Sequence, residues 1–389
     1  KNVLKANKDF AAGETIYKET PMVAVLDSDL EGQGTHCSQC FRHIEAPAEP
    51  VKPESPDALG SVYCSTECRE LASSQHHMLL FGSTLTGVLQ SLNTSPPDEA
   101  KQEARKASQE KLANYFRDNG KSGILLVARF LARMVAEETK KLAAPGGGGL
   151  SSGQEYSLYD HVERLRYLEF SEDQWGEQKE ILSEVLKLSA DGLEEFLKDE
   201  RYGLLLGKMA YNGVGVIFDA GRDDKPEPKQ RPEDREWTRT SVGTDRQVGS
   251  GLYLVSSYMS HSCDPSVRPT FPSGTNELHL VATKDLKKGD ELTIPYVKVD
   301  AAEDEDVITA RRNRRQALAR GWRFACNCER CIKEAPVAAP EATEPPKDDI
   351  QVEGEGAKAE ATVARFETGT DGAEYRTGAP KGSSEDDVE

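Results

Sequence analysis

The chain has 389 residues, with 49 Lys plus Arg against 67 Asp plus Glu, a formal net charge of -18 and 37% hydrophobic residues. That length allows two or three domains around a sizeable buried core, and the acidity argues against a non-specific nucleic-acid binder, which needs a basic face to release counterions. A basic protein partner suits it better. No apolar run reaches membrane-spanning length: the best, Ile124 to Val135, is short and carries Arg129 and Arg133, as a buried helix would. No signal-peptide pattern opens the sequence, so the reading is of a soluble intracellular protein.

Residues 1–30 read as strands, with β-rich runs at Thr15-Ile16-Tyr17 and Met22 to Leu26 after a turn at Ala11 to Glu14. A Pro-rich stretch from Ala46 to Pro56 is expected to be an exposed loop. Residues 68–92 have helical character, and Pro96-Pro97-Asp98-Glu99 marks a fresh helix start. Lys101 to Ala144 then reads as helical with a break near Asn119-Gly120, followed by a flexible Gly-rich loop at 145–153. Helices resume over roughly 171–202, where Leu182, Val185, Leu186 and Leu188 supply an apolar face. Residues 219–249 are charged and Pro-rich, which predicts a solvent-exposed insertion. Strands return at 276–283 and 291–297 around a turn at Lys287 to Asp290, and Arg311 to Arg320 is a basic helix. From Ala335 to Glu389 there are 14 acidic and 5 basic residues with few large apolar ones, a composition expected to be disordered.

The eight cysteines are grouped. Cys37 and Cys40 form C-x2-C, Cys64 and Cys68 form C-x3-C, and Cys326, Cys328 and Cys331 form C-x-C-x2-C, leaving Cys263 single. The two N-terminal pairs make one set of four thiolates, and the downstream triplet with Cys263 makes another. Without a secretory context that spacing favours two tetrahedral structural zinc ions over disulfides. Eight unrelated buried or redox thiols would not explain the clustering.

The segments Gly251-Leu252-Tyr253, Tyr258-Met259-Ser260-His261-Ser262-Cys263-Asp264-Pro265 and Gly289-Asp290-Glu291-Leu292-Thr293-Ile294-Pro295-Tyr296, followed by the C-x-C-x2-C cluster, resemble the SET domain of protein lysine methyltransferases. Residues Lys5-Ala6 through Gly13-Glu14 resemble its first strand pair. The insertion with Cys37, Cys40, Tyr63-Cys64-Ser65 and Cys68 resembles a MYND finger interrupting it. In that order the match spans about residues 1–333 and is similar to the SET-and-MYND class, nearest to its fungal Set-five branch. The resemblance implies an α+β fold: a SET-domain β-fold of several small sheets, interrupted by a degenerate MYND zinc finger and a helical insertion, with a zinc-bound post-SET segment. The implied organisation is SET N-terminal strands at 1–35, the finger at 36–80, a helical insertion at 81–205, the catalytic core at 206–300, post-SET at 301–333 and an acidic tail at 334–389. The larger relatives continue into a helical-repeat domain, which is not expected here. A full MYND finger binds two zincs, but its last ligand pair would fall here on His76 and Leu80, and Leu80 cannot bind metal. One finger zinc, mainly structural, is therefore expected.

The resemblance also implies roles. Tyr296 is the expected catalytic tyrosine, orienting the lysine amine. S-adenosylmethionine, converted to S-adenosylhomocysteine, would contact Asn2, Leu4, Asn212, Ser260, His261, Tyr296 and Phe324, with Phe324 over the adenine. Tyr253 and Trp322 would line the substrate channel, although a Tyr in the position of Tyr253 is more often core than catalytic. Ser260 stands where the family usually has Asn, and Lys1-Asn2-Val3 where it often has Gly-x-Gly, so donor contacts differ there. Arg311-Arg312-Asn313-Arg314-Arg315 reads as a nuclear-localisation patch or, preferably, a solvated helix leading into the post-SET site. The expectation is a monomeric lysine methyltransferase of nucleus and cytoplasm, acting on a histone tail, above all histone H4, or on a ribosomal protein. It would make no sequence-specific contact with nucleic acid and none with membrane. A non-catalytic chromatin adaptor built on a SET scaffold is the rival.

Overall fold

The computed structural model describes residues 3–86, 89–90, 99–143, 157–190, 192–198, 200–227, 231, 235–302 and 304–336. The Gly-rich loop expected at 145–153 and the acidic tail beyond residue 336 lie outside them.

Strands β1 (Thr15–Glu19) and β2 (Val23–Leu26) form where their β-branched runs predict. The residues before them are not a regular strand. They run beside 286–292, with Ala6 N donating to Asp290 O at 2.9 Å, Leu292 N to Leu4 O at 2.9 Å and Leu286 N to Phe10 O at 2.8 Å. After the finger, α1 (Thr66–Ala72) starts on the Ser65 hydroxyl, which accepts from Cys68 N. It passes through a π-helical turn, Ser73–His77, into α2 (Met78–Phe81). Helical character was expected as far as 92, but the helix ends at Gly82, where an added Cβ would stand 2.6 Å from Met78 O.

Helices α3 (Glu99–Asn119) and α4 (Gly123–Ala143) break at Gly120, whose φ of +64 is the left-handed conformation glycine adopts cheaply. The N-terminus of α4 is closed by Glu236, which accepts from Ser122 N at 2.7 Å and Gly123 N at 2.6 Å. Within α4, Arg129 is 3% exposed and donates to Ala24 O and Ser38 O, so this arginine in the apolar run ties the helix to β2 and the finger. A capping box of Ser157 and Asp160 begins α5 (Leu158–Glu163); α6 (Glu172–Ser189) and α7 (Arg201–Asn212) follow. Leu112, Phe116, Leu125, Phe130, Leu182, Leu186 and Met209 bury these helices in one apolar core. The boundary expected between 205 and 206 falls inside α7.

The remaining strands are β3 (Val214–Val216), β4 (Gly249–Leu252), β5 (Ser260–His261), β6 (Val267–Thr270), β7 (Leu278–Ala282) and β8 (Thr293–Ile294). They make three small sheets: antiparallel β1-β7-β6, antiparallel β2-β4-β3, and the parallel pair β5-β8. Helices α8 (Val307–Trp322), capped by Asp306, and α9 (Glu329–Lys333) complete an α+β fold. The run expected as a strand over 291–297 yields two strand residues. Pro295 has no N–H to give a ladder, and Tyr296 N donates sideways to His261 Nδ1 at 3.0 Å.

The stretch 219–249 is exposed or half-buried up to Trp237 where described, but its later part packs into the fold. Thr238, Arg239, Thr240 and Gln247 are buried. Arg239 N donates to Gly213 O at 2.8 Å and Gly215 N to Arg239 O at 3.1 Å, extending the edge of β3.

Candidate active site and its two cysteine clusters

Each cysteine quartet is assembled, with four Sγ atoms within 4.8 Å of one another. In the first, Cys40 and Cys68 each lie 3.6 Å from Cys64. In the second, Cys263 lies 3.5 Å from Cys331 and 3.9 Å from Cys326. Sulfurs around a tetrahedral zinc at ~2.3 Å stand ~3.8 Å apart, so both sets fit the ion. Within each quartet the thiols hydrogen-bond one another, which lowers Cys37 and Cys328 and raises partners such as Cys40 and Cys263. Metal is ligated by the thiolate form.

The first quartet sits on a tight turn, where Phe41 takes φ 69 and its N–H returns to Cys37 O at 2.8 Å. His76, expected at the degenerate ligand pair, bonds Gln39 Oε1 at 3.1 Å instead, and Leu80 is fully buried. Asn276 bolts this turn to the sheets: its N–H donates to Cys40 O at 2.8 Å and its Nδ2 to Gln39 O at 2.9 Å. The second quartet draws together Cys263, just after β5, and Cys326, Cys328 and Cys331 at α9. Arg311 donates to Cys331 O at 2.7 Å and Arg330 to Cys263 O at 2.9 Å, while Glu334 accepts from both Arg314 and Arg330. The basic helix is therefore neither a free patch nor simply solvated, because Arg311 and Arg314 turn onto the cluster. Glu334, expected in the tail, belongs to the fold.

Next to this cluster lies a group of rings. Tyr296, just past β8, is 1% exposed and donates its hydroxyl to Met259 O at 2.6 Å. Its ring centroid is 5.3 Å from Trp322, 5.4 Å from His261 and 6.4 Å from Phe324. Trp322, at the end of α8, donates Nε1 to Tyr211 O at 3.0 Å. Because His261 Nδ1 accepts from Tyr296 N, Nε2 carries the hydrogen and points at Cys263 Sγ, 3.2 Å away. Burial lowers His261 to about 4, so the ring is neutral at physiological pH. One residue earlier, Ser260 Oγ is buried with no hydrogen-bond partner, and Phe324 is half-buried 6.1 Å from His261. An orphaned hydroxyl beside a partly open aromatic face fits a nucleoside-bearing ligand. A cleft of about 270 Å³ also opens on Tyr296, walled by Trp237, Thr238, Thr240 and Ala317.

Ser260, His261, Tyr296, Trp322 and Phe324 are thus brought together. Leu4 lies at the edge of the same apolar cluster, holding Leu292 N through its carbonyl; Asn2 is outside the described residues. Two expected contacts point elsewhere. Asn212, 1% exposed, gives Nδ2 to Arg166 O at 2.7 Å and Lys208 O at 2.8 Å and accepts from Arg239 at 2.8 Å, so its amide serves the protein interior. Tyr253 is fully buried and donates to Asn276 O at 2.6 Å, which makes it a core link toward the finger. Sequence reasoning missed Arg239 and Trp237. The available signal was Glu236-Trp237-Thr238-Arg239-Thr240, an aromatic between β-branched residues inside an otherwise charged stretch.

A sequence profile described as SET domain matches residues 2–297. A SET and MYND domain-containing protein of Dictyostelium discoideum is 24% identical over 327 residues, covering 82% of this chain and 77% of the relative. The protein-lysine N-trimethyltransferase SMYD5 of Mus musculus is 25% identical, covering 83% and 82%. The histone-lysine N-methyltransferase SET5 of Candida glabrata is 23% identical, covering 85% of this chain and 56% of its own length. The profile covers most of the chain, so the chain belongs to the SET-domain family, and it is similar to SET-and-MYND proteins.

Proposed function

We propose that this chain is a protein-lysine N-methyltransferase of nucleus and cytoplasm that uses S-adenosylmethionine, releases S-adenosylhomocysteine and acts on a basic protein, with a histone H4 tail the leading substrate. The observation that carries this reading is the enclosure of Tyr296 by Trp322, Phe324 and His261, one residue from the orphaned Ser260 hydroxyl. The names of the mouse and yeast relatives support it.

The donor, when bound, supplies an electrophilic methyl group on a sulfonium. Ser260 Oγ and the Phe324 face would hold it. The Tyr296 hydroxyl donates to Met259 O, and a phenol oxygen can also accept, which would let it orient a lysine N–H. The surrounding rings exclude water and so favour the neutral amine over an ammonium whose free pKa is ~10.4. Trp322 walls the channel without offering a second hydroxyl. Two zinc ions would sit in the cysteine quartets, and the second ties the segment bearing Phe324 to the strand bearing His261.

Labelled S-adenosylmethionine incubated with separated histone and ribosomal fractions tests the reading, with Tyr296→Phe as control. Label in histone H4 with the wild type alone is expected; label in the ribosomal fraction would reassign the substrate, and label in neither would overturn the activity. Ser260, shorter than the usual Asn, favours the adaptor as second reading. Calorimetry separates the two, because an adaptor should not bind S-adenosylmethionine.

A further inference from the structure

Arg239 lies in the segment that sequence reasoning assigned to solvent, yet it is 1% exposed. Its guanidinium sits 4.2 Å from the Tyr296 ring centroid and 5.5 Å from that of Tyr211. It donates to Tyr211 O at 3.1 Å, Ser257 O at 3.1 Å and Asn212 Oδ1 at 2.8 Å. Among the described residues it makes no ion pair with a carboxylate; burial lowers its pKa, and Arg166 is a like charge nearby. A cation held only by dipoles and ring faces keeps its field, and burying one is costly when an apolar side chain could fill the space. That cost calls for a functional return.

We infer that Arg239 selects the uncharged form of the amine that enters beside Tyr296, a positioning role that rests on the methyltransferase reading. Two features act in the same direction. The buried positive charge opposes a second cation nearby. It also occupies a face of Tyr296 and of Tyr211 on which an ammonium would otherwise gain cation–π stabilisation. A lysine is admitted as the amine, which carries the lone pair that attacks a methyl carbon, and its proton is left to solvent. Other charged groups face Tyr296 across the cleft. Lys298, Asp300, Glu305 and Arg314 line the cleft, with Lys298 and Asp300 exposed to water. His261, on β5, faces the Tyr296 ring at 5.4 Å between centroids.

The test is the pH dependence of kcat at saturating substrate, which reports ionisations in the bound complex, for the full zinc-loaded chain, measured with whichever fraction, histone H4 or ribosomal, the wild type labels. Arg239→Lys keeps the charge and should keep the wild-type midpoint of the ascending limb. Arg239→Gln and Arg239→Met should move that midpoint up by about one pH unit and slow transfer about tenfold near neutrality, with recovery in alkali. S-adenosylmethionine affinity should change little, whereas the melting temperature should fall, because buried acceptors at Tyr211, Asn212 and Ser257 lose their donor. A purely structural role would depress the rate equally at every pH, and an unchanged midpoint in the neutral variants overturns the inference. Should neither neutral variant fold, the wild type decides, because an ascending limb centred at or above the free-lysine value of ~10.4 is incompatible with it. Absence of transfer by the wild type at every pH would instead overturn the methyltransferase reading itself, and this inference with it.

Discussion

The two cysteine quartets have the same ligands and nearly the same sulfur spacing, but they do different physical work. The finger quartet joins residues 37 to 68, a short local loop, and is tied to the rest of the fold by Asn276 and by Arg129. The post-SET quartet joins Cys263 to a triplet more than sixty residues downstream. It sits among Arg311, Arg314 and Arg330, with His261 Nε2 against one of its sulfurs. A local staple stabilises the unit that contains it. A long-range staple fixes the relative position of remote segments, and here those segments carry His261, Trp322 and Phe324 around Tyr296. Identical chemistry therefore gives a structural module in one place and an assembled site in the other.

The sharpest way to break that contrast is to remove one ligand from each quartet. Cys328→Ser should release one of two zincs and reduce methyl transfer by more than the ~10–100-fold typical of changes around a metal site, leaving the helical core folded. Cys64→Ser should also release one zinc but lower thermal stability while retaining transfer; equal losses of activity in the two variants would erase the distinction. Next in size, Arg314→Gln should accelerate zinc loss from the post-SET quartet alone, about tenfold, since Arg314 is buried against Glu334. A chromogenic chelator reads that rate, and an unaltered rate would show that the arginine ring is incidental. Asn276→Ala leaves the Gln39 carbonyl without its donor and should cost about 1–3 kcal/mol in denaturant unfolding, with S-adenosylmethionine affinity unchanged.

The smallest effect lies away from both quartets. Lys208 donates to Val162 O and Glu163 O, and burial lowers it to about 8 from 10.5. The unfolded chain keeps that proton up to its higher value, so between the two it binds more protons than the folded chain. Its contribution to stability should therefore rise with pH over that window, and Lys208→Met should flatten this part of the unfolding profile. A slope unchanged by the substitution would remove Lys208 as its source.

Both quartets were legible because zinc demands thiolates at short spacings, and such spacings survive in linear sequence. Tyr296, Trp322 and Phe324 were legible through their neighbours, lying next to a recognisable strand or cysteine cluster. The helix break at Gly120 followed from its Asn-Gly pair. What escaped was set by long-range contact. Arg239 looked like any charge in a charged stretch, since nothing local reveals that Tyr211, Asn212 and Ser257 turn their acceptors toward it. Asn212, expected at the donor site by resemblance alone, ends α7, and the direction of its amide depends on Arg166, Lys208 and Arg239. The two-residue strands β5 and β8 fall below any pattern length, because their pairing is imposed by the chain around them.

Titration calorimetry of S-adenosylmethionine into the zinc-loaded wild type, Cys64→Ser and Cys328→Ser bears most directly on the claim that the post-SET quartet assembles the site. Binding of similar affinity to wild type and Cys64→Ser, with none to Cys328→Ser, is the predicted result. Wild-type affinity in Cys328→Ser would contradict it.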